Sequence, residues 1–432
     1  VRLSILLAAA LIALPGCQRK HDPPSDPPAN VSVLPGDGVA LLSWDPLPGL
    51  TYWIFYRPGT TVNAAEPGSI AVKNALEPRA VIGLLNDTQY AFVMNATDND
   101  SAAGPSSPVV TTTTRLAGDT WVNGAPIGAV PQNMNALAFS GTRYVAVGDA
   151  GTILAGDFAY GSPSPNLGVT LWMQPVTLPT NFTENLRSVI FNGSFVALGE
   201  NGSVLTSADG VNWVANVPIT VSGAPVTGMN GIAFSGVGYV AVGNGGQLFT
   251  STNLAAWVQG NSNTTEDLTS VELLNGALFA TGTNGTLLIS PDGTTWNPQT
   301  TGLPAGTTLR AVTFMPNAPP PSVRFVAVGD AGAVVTSTDV TAGQGTWTPT
   351  VLAGGQNLRS VTVGGATGFR FMAVGLGGAV VFGDSVINNV PVNSIQWSTP
   401  ATQSPTGELS SVLFFLGQYL AVGAAGANAV SH

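Results

Sequence analysis

Leu186-Arg187-Ser188-Val189-Ile190-Phe191, Ser194-Phe195-Val196-Ala197-Leu198-Gly199, Gly202-Ser203-Val204-Leu205-Thr206-Ser207 and Ala208-Asp209-Gly210-Val211-Asn212-Trp213 follow one another in this 432-residue chain. Short apolar runs broken by Gly- and Asn-containing turns predict four strands, A to D, with the tryptophan on D. The unit recurs. Trp121, Trp172, Trp213, Trp257, Trp296, Trp347 and Trp397 stand 39 to 51 residues apart. Tyr144-Val145-Ala146-Val147-Gly148, Tyr239-Val240-Ala241-Val242-Gly243, Phe325-Val326-Ala327-Val328-Gly329 and Tyr419-Leu420-Ala421-Val422-Gly423 align as B strands. Such continuous apolar runs require cover on both faces of each sheet.

Repeats of roughly 40–50 residues built from short strands signal a β-propeller, in which each sheet packs between two others. The last A–B–C set, from Leu409 to about Ser431, has no tryptophan strand after it. The strand around Thr120-Trp121-Val122 precedes the first set and has no sheet of its own. Joining the two closes the ring by strand exchange and removes an exposed edge. The expectation is a seven-bladed propeller over residues 118–432, with six or eight blades left open.

Ser207-Ala208-Asp209-Gly210-Val211-Asn212-Trp213 and Ser290-Pro291-Asp292-Gly293-Thr294-Thr295-Trp296 resemble the Asp-box, or BNR repeat. Ser251-Thr252-Asn253 and Ser337-Thr338-Asp339 read as degenerate copies. That repeat occurs in sialidases and in propellers similar to the photosystem II stability and assembly factor. The resemblance implies a structural role for Ser207, Asp209, Gly210, Trp213, Ser290, Asp292, Gly293 and Trp296. The aspartate accepts backbone N–H groups, the glycine permits positive φ and the tryptophan anchors the corner.

Residues 30–115 differ in character. Val39-Ala40-Leu41-Leu42-Ser43-Trp44, Tyr52-Trp53-Ile54-Phe55-Tyr56 and the run from Leu85 through Tyr90 to Val93 predict short strands of a β-sandwich. The segment resembles the fibronectin type III family. Trp44 matches its core tryptophan, Leu85 with Tyr90 its leucine-to-tyrosine corner, and Ser107-Pro108-Val109-Val110-Thr111-Thr112 its last strand. No Arg-Gly-Asp triplet is present, and the expected role is a spacer or docking module. The fold class expected overall is all-β.

Upstream, Arg2 followed by the apolar run Leu3 to Leu14 reads as an export signal, too short for a comfortable membrane span. Leu14-Pro15-Gly16-Cys17 resembles the lipobox of bacterial lipoproteins, although Pro15 departs from its commonest form. The resemblance implies a signal peptide over residues 1–17 and lipidation of Cys17; an ordinary cleaved signal is the alternative. Gln18, where an aspartate would favour inner-membrane retention, points to the outer membrane or cell surface. Residues 18–29, with four prolines, predict an extended tether.

Only 8% of residues are charged, the net charge is −10 and the pI is about 4.5. Such a surface repels nucleic acid. Cys17 is the sole cysteine, so no internal disulfide forms, and His21 and His432 are the only histidines, which argues against a histidine metal site. No phosphate loop, nucleophile elbow or Cys/His cluster is present, and neither a metal nor a cofactor is expected.

The candidate site comes from the repeat. The residue after the first apolar residue of strand A lies near the channel mouth. It is Asn135, Arg187, Asn230, Thr269, Arg310, Arg359 and Ser410 in successive copies. Asp149, Glu200 and Asp330 lie on B–C turns at the same end. One reading is a ligand platform, since guanidinium forks recognise carboxylates. The other is a set of ion pairs tying A strands to B–C turns. The copy holding Arg359 has Leu376 in its turn, so its charge looks least compensated within its own blade. Arg143, Arg324 and Arg370, just before strand B at the opposite end, are expected to be solvated rim charges. Sialidases also clamp a carboxylate with three arginines, but they need a tyrosine nucleophile with an adjacent base. Tyr144, Tyr239 and Tyr419 sit in B strands, and only Tyr160 lies elsewhere in this segment. The expected function is a non-catalytic envelope lipoprotein that binds a protein or glycan at the propeller face and meets the membrane only through its lipid. A sialidase-like glycoside hydrolase and a purely structural envelope component are the alternatives.

Overall fold

The computed structural model describes residues 23–98, 102–123, 132–157, 171–173, 176–341, 343–364, 369–387, 390–400, 405–415 and 417–431. The export signal, Cys17, His21, Tyr160 and His432 lie outside them.

The first unit consists of β1 (Ser32–Gly36), β2 (Val39–Ser43), β3 (Thr51–Pro58), β4 (Ile70–Ala75), β5 (Arg79–Ile82), β6 (Gln89–Thr97) and β7 (Val110–Thr113). They form two antiparallel sheets, β1-β2-β5 and β4-β3-β6-β7. Alternation along β3 buries Tyr52, Ile54 and Tyr56 against Ala40, Leu42 and Val81 of the other sheet, with Trp44, Phe92 and Met94 in the same core. Each such side chain, fully buried, contributes about 1.5–3 kcal/mol. The Tyr90 hydroxyl accepts the Leu85 N–H at 3.1 Å, but the buried leucine is Leu84; the Leu85 side chain faces solvent. Adjacent residues of an extended segment point to opposite sides, so only one of the pair reaches the core. The described end of the proline-rich segment lies along this unit. Pro28 is buried, and the Ala29 carbonyl accepts the Asp45 N–H at 3.0 Å.

Seven further four-stranded antiparallel sheets follow among the described residues. Their A strands are Met134–Phe139, Leu186–Phe191, Met229–Phe234, Leu268–Leu274, Leu309–Phe314, Leu358–Gly364 and Leu409–Phe415. Each A strand lies against those of two neighbouring sheets, and the seventh returns to the first. The fourth strand of the last sheet is β8 (Trp121–Asn123), which pairs with Asn428–Ser431. Between sheets, apolar side chains of one meet those of the next. Ala233, Val240 and Val242 pack on Leu268, Val271 and Leu278, for example. The B strands are buried on both faces, as their composition demands.

Serine closes the C–D corners. Gly210 and Gly293 N–H groups each donate to the Ser207 and Ser290 hydroxyls at 2.8 Å. Trp213 and Trp296 Nε1 donate to the Gly210 and Gly293 carbonyls at 3.1 and 3.3 Å. Asp209 and Asp292 each take two backbone N–H bonds. Those bonds hold Asp209 well below the usual carboxylate range and pull Asp292 to about 2. In the degenerate copies the Trp257 and Trp347 indole N–H groups are buried without an acceptor.

The arginines before strand B are not solvated rim charges. Arg370 has a side chain only 5% exposed; it bonds Asp384 at 2.8 and 3.1 Å, Asp119 at 2.8 Å and the Ala117 carbonyl at 3.0 Å. Arg143 binds Asp157 with two nitrogens and the Asp209 carbonyl with a third. Arg324 covers the Phe314 ring and donates to the Pro316 carbonyl. Position explains the first two: Arg143 and Arg370 stand directly opposite Asp157 and Asp384 in the B–C ladder.

Candidate functional site

Strand A pairs with strand B from its first residue, and in every sheet the register slips there. The breaks fall between Val147 and Gly148 in the first sheet, opposite Asn135, and between the first and third residues of strand A in the other six. The residue left out of the ladder is Asn135, Arg187, Asn230, Thr269, Arg310, Arg359 or Ser410. A bulge frees one residue from pairing and re-aims its side chain. All seven line one cavity of about 370 Å³ at the inner edge of the ring, together with Asn244, Asp267, Thr283 and Glu408.

The seven do not behave alike. Asn135 donates to the Leu186 carbonyl at 2.9 Å, Asn230 to the Leu268 carbonyl at 2.8 Å and Thr269 to the Leu309 carbonyl at 2.6 Å. Each thus bonds the start of the next sheet's A strand. The arginines turn to carboxylates instead. Arg187 meets Glu200 at 2.6 Å and Asp149 of the preceding sheet at 3.5 Å. Arg310 grips Asp330 with two nitrogens, at 3.2 and 2.6 Å. Arg359 has no acid in its own B–C turn, yet it reaches Asp330 of the preceding sheet at 3.5 Å and Glu408 of the next at 3.9 Å. Acids are therefore shared between sheets, which sequence cannot reveal. The Arg359 contacts are the longest of the three, so its guanidinium has the most unused donor capacity. Asp149 also takes bonds from Asn133 and Asn135 at 2.9 Å. Five carboxylates (Asp149, Glu200, Asp267, Asp330 and Glu408) stand around three guanidiniums, so the cavity is not a bare anion clamp.

Sequence reasoning missed a second ring of bonds. Asn133, Asn185, Asp267 and Asn357 each precede the first apolar residue of strand A. Their side-chain oxygens accept N–H groups of Ala425, Ala150, Gly245 and Ala331 at 2.7 to 3.1 Å. Those four residues have φ between 51° and 63° in the B–C turns of the preceding sheets. The signal was present as Asn or Asp before Met or Leu in four copies, but its partner lies a whole sheet away.

Among the described residues no tyrosine, histidine or cysteine lines the cavity. Tyr144 and Tyr419 are buried in B strands, and Tyr239 bonds Asn192 at 2.9 Å. Among the described residues no group of three His, Cys, Asp or Glu side chains is placed to hold a metal, and no helix is long and apolar enough to cross a membrane.

No protein-family model matches the chain, and no curated protein is similar to it in sequence. Solved structures are similar in fold. YCF48 bound to D1 peptide is 14% identical, with a TM-score of 0.53 over 73% of this chain and 98% of that one. YCF48 from Cyanidioschyzon merolae is 15% identical, with a TM-score of 0.51 over 72% of this chain and 98% of that one. A catalytically inactive virginiamycin B lyase from Staphylococcus aureus with quinupristin is 11% identical, with a TM-score of 0.51 over 72% and 98%. At these identities the likeness establishes the fold alone, a β-propeller.

Proposed function

We propose that the chain is a non-catalytic, exported, lipid-anchored protein whose seven-bladed propeller receives a segment of a protein partner at the bulge-lined cavity. Residues 30–115 form a fibronectin type III module, and residues 1–17 deliver Cys17 for lipidation. The supporting observation is the division of labour at one repeat position. Asn135, Asn230 and Thr269 tie neighbouring sheets together, whereas Arg187, Arg310 and Arg359 forgo that bond and present guanidiniums to the cavity. Polypeptide suits the cavity better than an anionic glycan does, because donors and acceptors are interleaved and each guanidinium already stands beside a carboxylate. The neighbour solved with a bound peptide fits this reading. A–B and C–D turns lie at one end of an antiparallel sheet and B–C turns at the other. The first unit meets the A–B turn at Gly417, so it sits opposite the cavity and leaves the mouth open.

The test is site-specific photocrosslinking from position 410 in the anchored protein, with a crosslinker at Val237, exposed in an A–B turn at the opposite end of the ring, as control. The expected result is a protein adduct from position 410 alone, lost in the Arg187→Asn/Arg310→Asn/Arg359→Asn variant. Adducts equal at both positions, or turnover of sialosides abolished by Arg359→Ala, would overturn the proposal.

A further inference from the structure

The last sheet has a C–D corner assembled from remote parts. The Gly118 N–H donates to the Ser431 hydroxyl at 2.8 Å across 313 residues of sequence, and Trp121 Nε1 donates to the Gly118 carbonyl at 3.1 Å. These match the Gly210–Ser207 and Trp213–Gly210 bonds, at 2.8 and 3.1 Å. Gly118 has φ +104°, in the same left-handed half as Gly210 at +74° and Gly293 at +78°. Ser431, Ser207 and Ser290 are all buried. A fourth correspondence is independent. Arg143 donates to the carbonyl of Asp209, the residue before the corner glycine, and Arg370 donates to the carbonyl of Ala117, which holds the same place before Gly118.

One part differs. Ala117 stands where the box has its aspartate, so this corner lacks the carboxylate that gathers backbone N–H groups elsewhere. The first unit instead braces the neighbouring A–B turn through Asp37, in its β1–β2 turn. Asp37 is fully buried, takes Asn86 Nδ2 at 2.6 Å, and donates its own N–H to the Gly417 carbonyl in the last A–B turn. The Arg115 N–H donates to the Gly36 carbonyl on the same side. We infer that this corner is a split Asp-box held shut by the first unit, which clasps both the strand leading into it and the A–B turn of the same sheet, so that closing the ring and docking the first unit are a single event. The first unit then acts as a keystone of the propeller rather than as a free spacer, independently of what the cavity binds.

Hydrogen exchange of the full chain, read by mass spectrometry, tests this. Ser431→Ala deletes the corner hydroxyl, and Ser290→Ala makes the same deletion in an uninterrupted corner. Leaving a buried N–H without a partner raises local opening by about tenfold or more. Ser431→Ala is expected to raise exchange in both residues 118–123 and residues 35–40; Ser290→Ala is expected to change neither. Gly417→Ala approaches from the other side, because its Cβ would lie 2.4 Å from Val39 Cγ1 and 2.7 Å from the Asp37 nitrogen. It is expected to raise exchange in residues 428–431 as well as in the β1–β2 turn, and it serves alone if Ser431→Ala does not accumulate. Opening of β8 with the β1–β2 turn still protected, or of that turn with residues 428–431 still protected, overturns the inference.

Discussion

Replacing Arg359 with asparagine should leave the protein as stable as before, and this separates a presented arginine from a structural one. The Arg359 side chain is 26% exposed and touches Asp330 and Glu408 only at 3.5 and 3.9 Å. Pairs of that length and exposure contribute about 0–1 kcal/mol. Asparagine at the same bulge elsewhere donates to the next sheet's first A-strand carbonyl at 2.8 to 2.9 Å. A bond of that kind is worth about 0.5–1.5 kcal/mol. Loss and gain nearly cancel, so the net change lies within about 1 kcal/mol in either direction. For a body of this size the melting temperature then moves by roughly 4 °C or less. Asn135→Ala is the contrast. It removes bonds to Asp149 and the Leu186 carbonyl, leaving polar groups short of partners at about 1–3 kcal/mol. Near-ultraviolet circular dichroism of the tryptophans during thermal unfolding measures both. A fall of 8 °C or more for Arg359→Asn (roughly twice the limit above), with Asn135→Ala near wild type, would refute the assignment of roles.

Three further outcomes are expected. Arg370→Met should cost about 1–3 kcal/mol, because the Ala117 carbonyl and the Asp384 and Asp119 carboxylates lose a buried donor they share; Arg143→Met, whose arginine is more exposed, should cost clearly less in the same chemical denaturation series. Asp292 has a folded pKa of about 2, below its unfolded value, so its stabilisation is full above the unfolded pKa and fades as pH falls from about 4 through 2. Asp292→Asn should therefore lower the melting temperature at pH 7 and leave it unchanged near pH 2, and equal losses at both would exclude the carboxylate as the cause. Mass spectrometry of the mature protein from a bacterial host should find an acylated Cys17, and Cys17→Ser should release the chain from the membrane fraction; an unmodified N-terminus would exclude the anchor.

What could be read in the linear chain was whatever repeats or acts locally. The B strands announce themselves because a sheet covered on both faces needs unbroken apolar runs. The corners at Asp209 and Asp292 are legible because serine, aspartate, glycine and tryptophan bond one another within seven residues. Even the seven bulge positions could be picked out by their shared place in the repeat.

Their geometry was not legible. Nothing in the sequence near Arg359 names Asp330 or Glu408, which belong to adjacent sheets. Leu84 and Leu85 are indistinguishable until one of them meets a core. Arg370 looks like any edge arginine until folding brings Asp119 and Ala117 against it from 251 and 253 residues away. Ser431 carries no trace of Gly118, nor Gly417 of Asp37. Sequence by itself determined the sheets, because hydrogen bonding and burial within a repeat recur with the repeat. Only the tertiary structure decided the cavity and the split corner, because contacts made between sheets or across the ring occur once and leave no period to read.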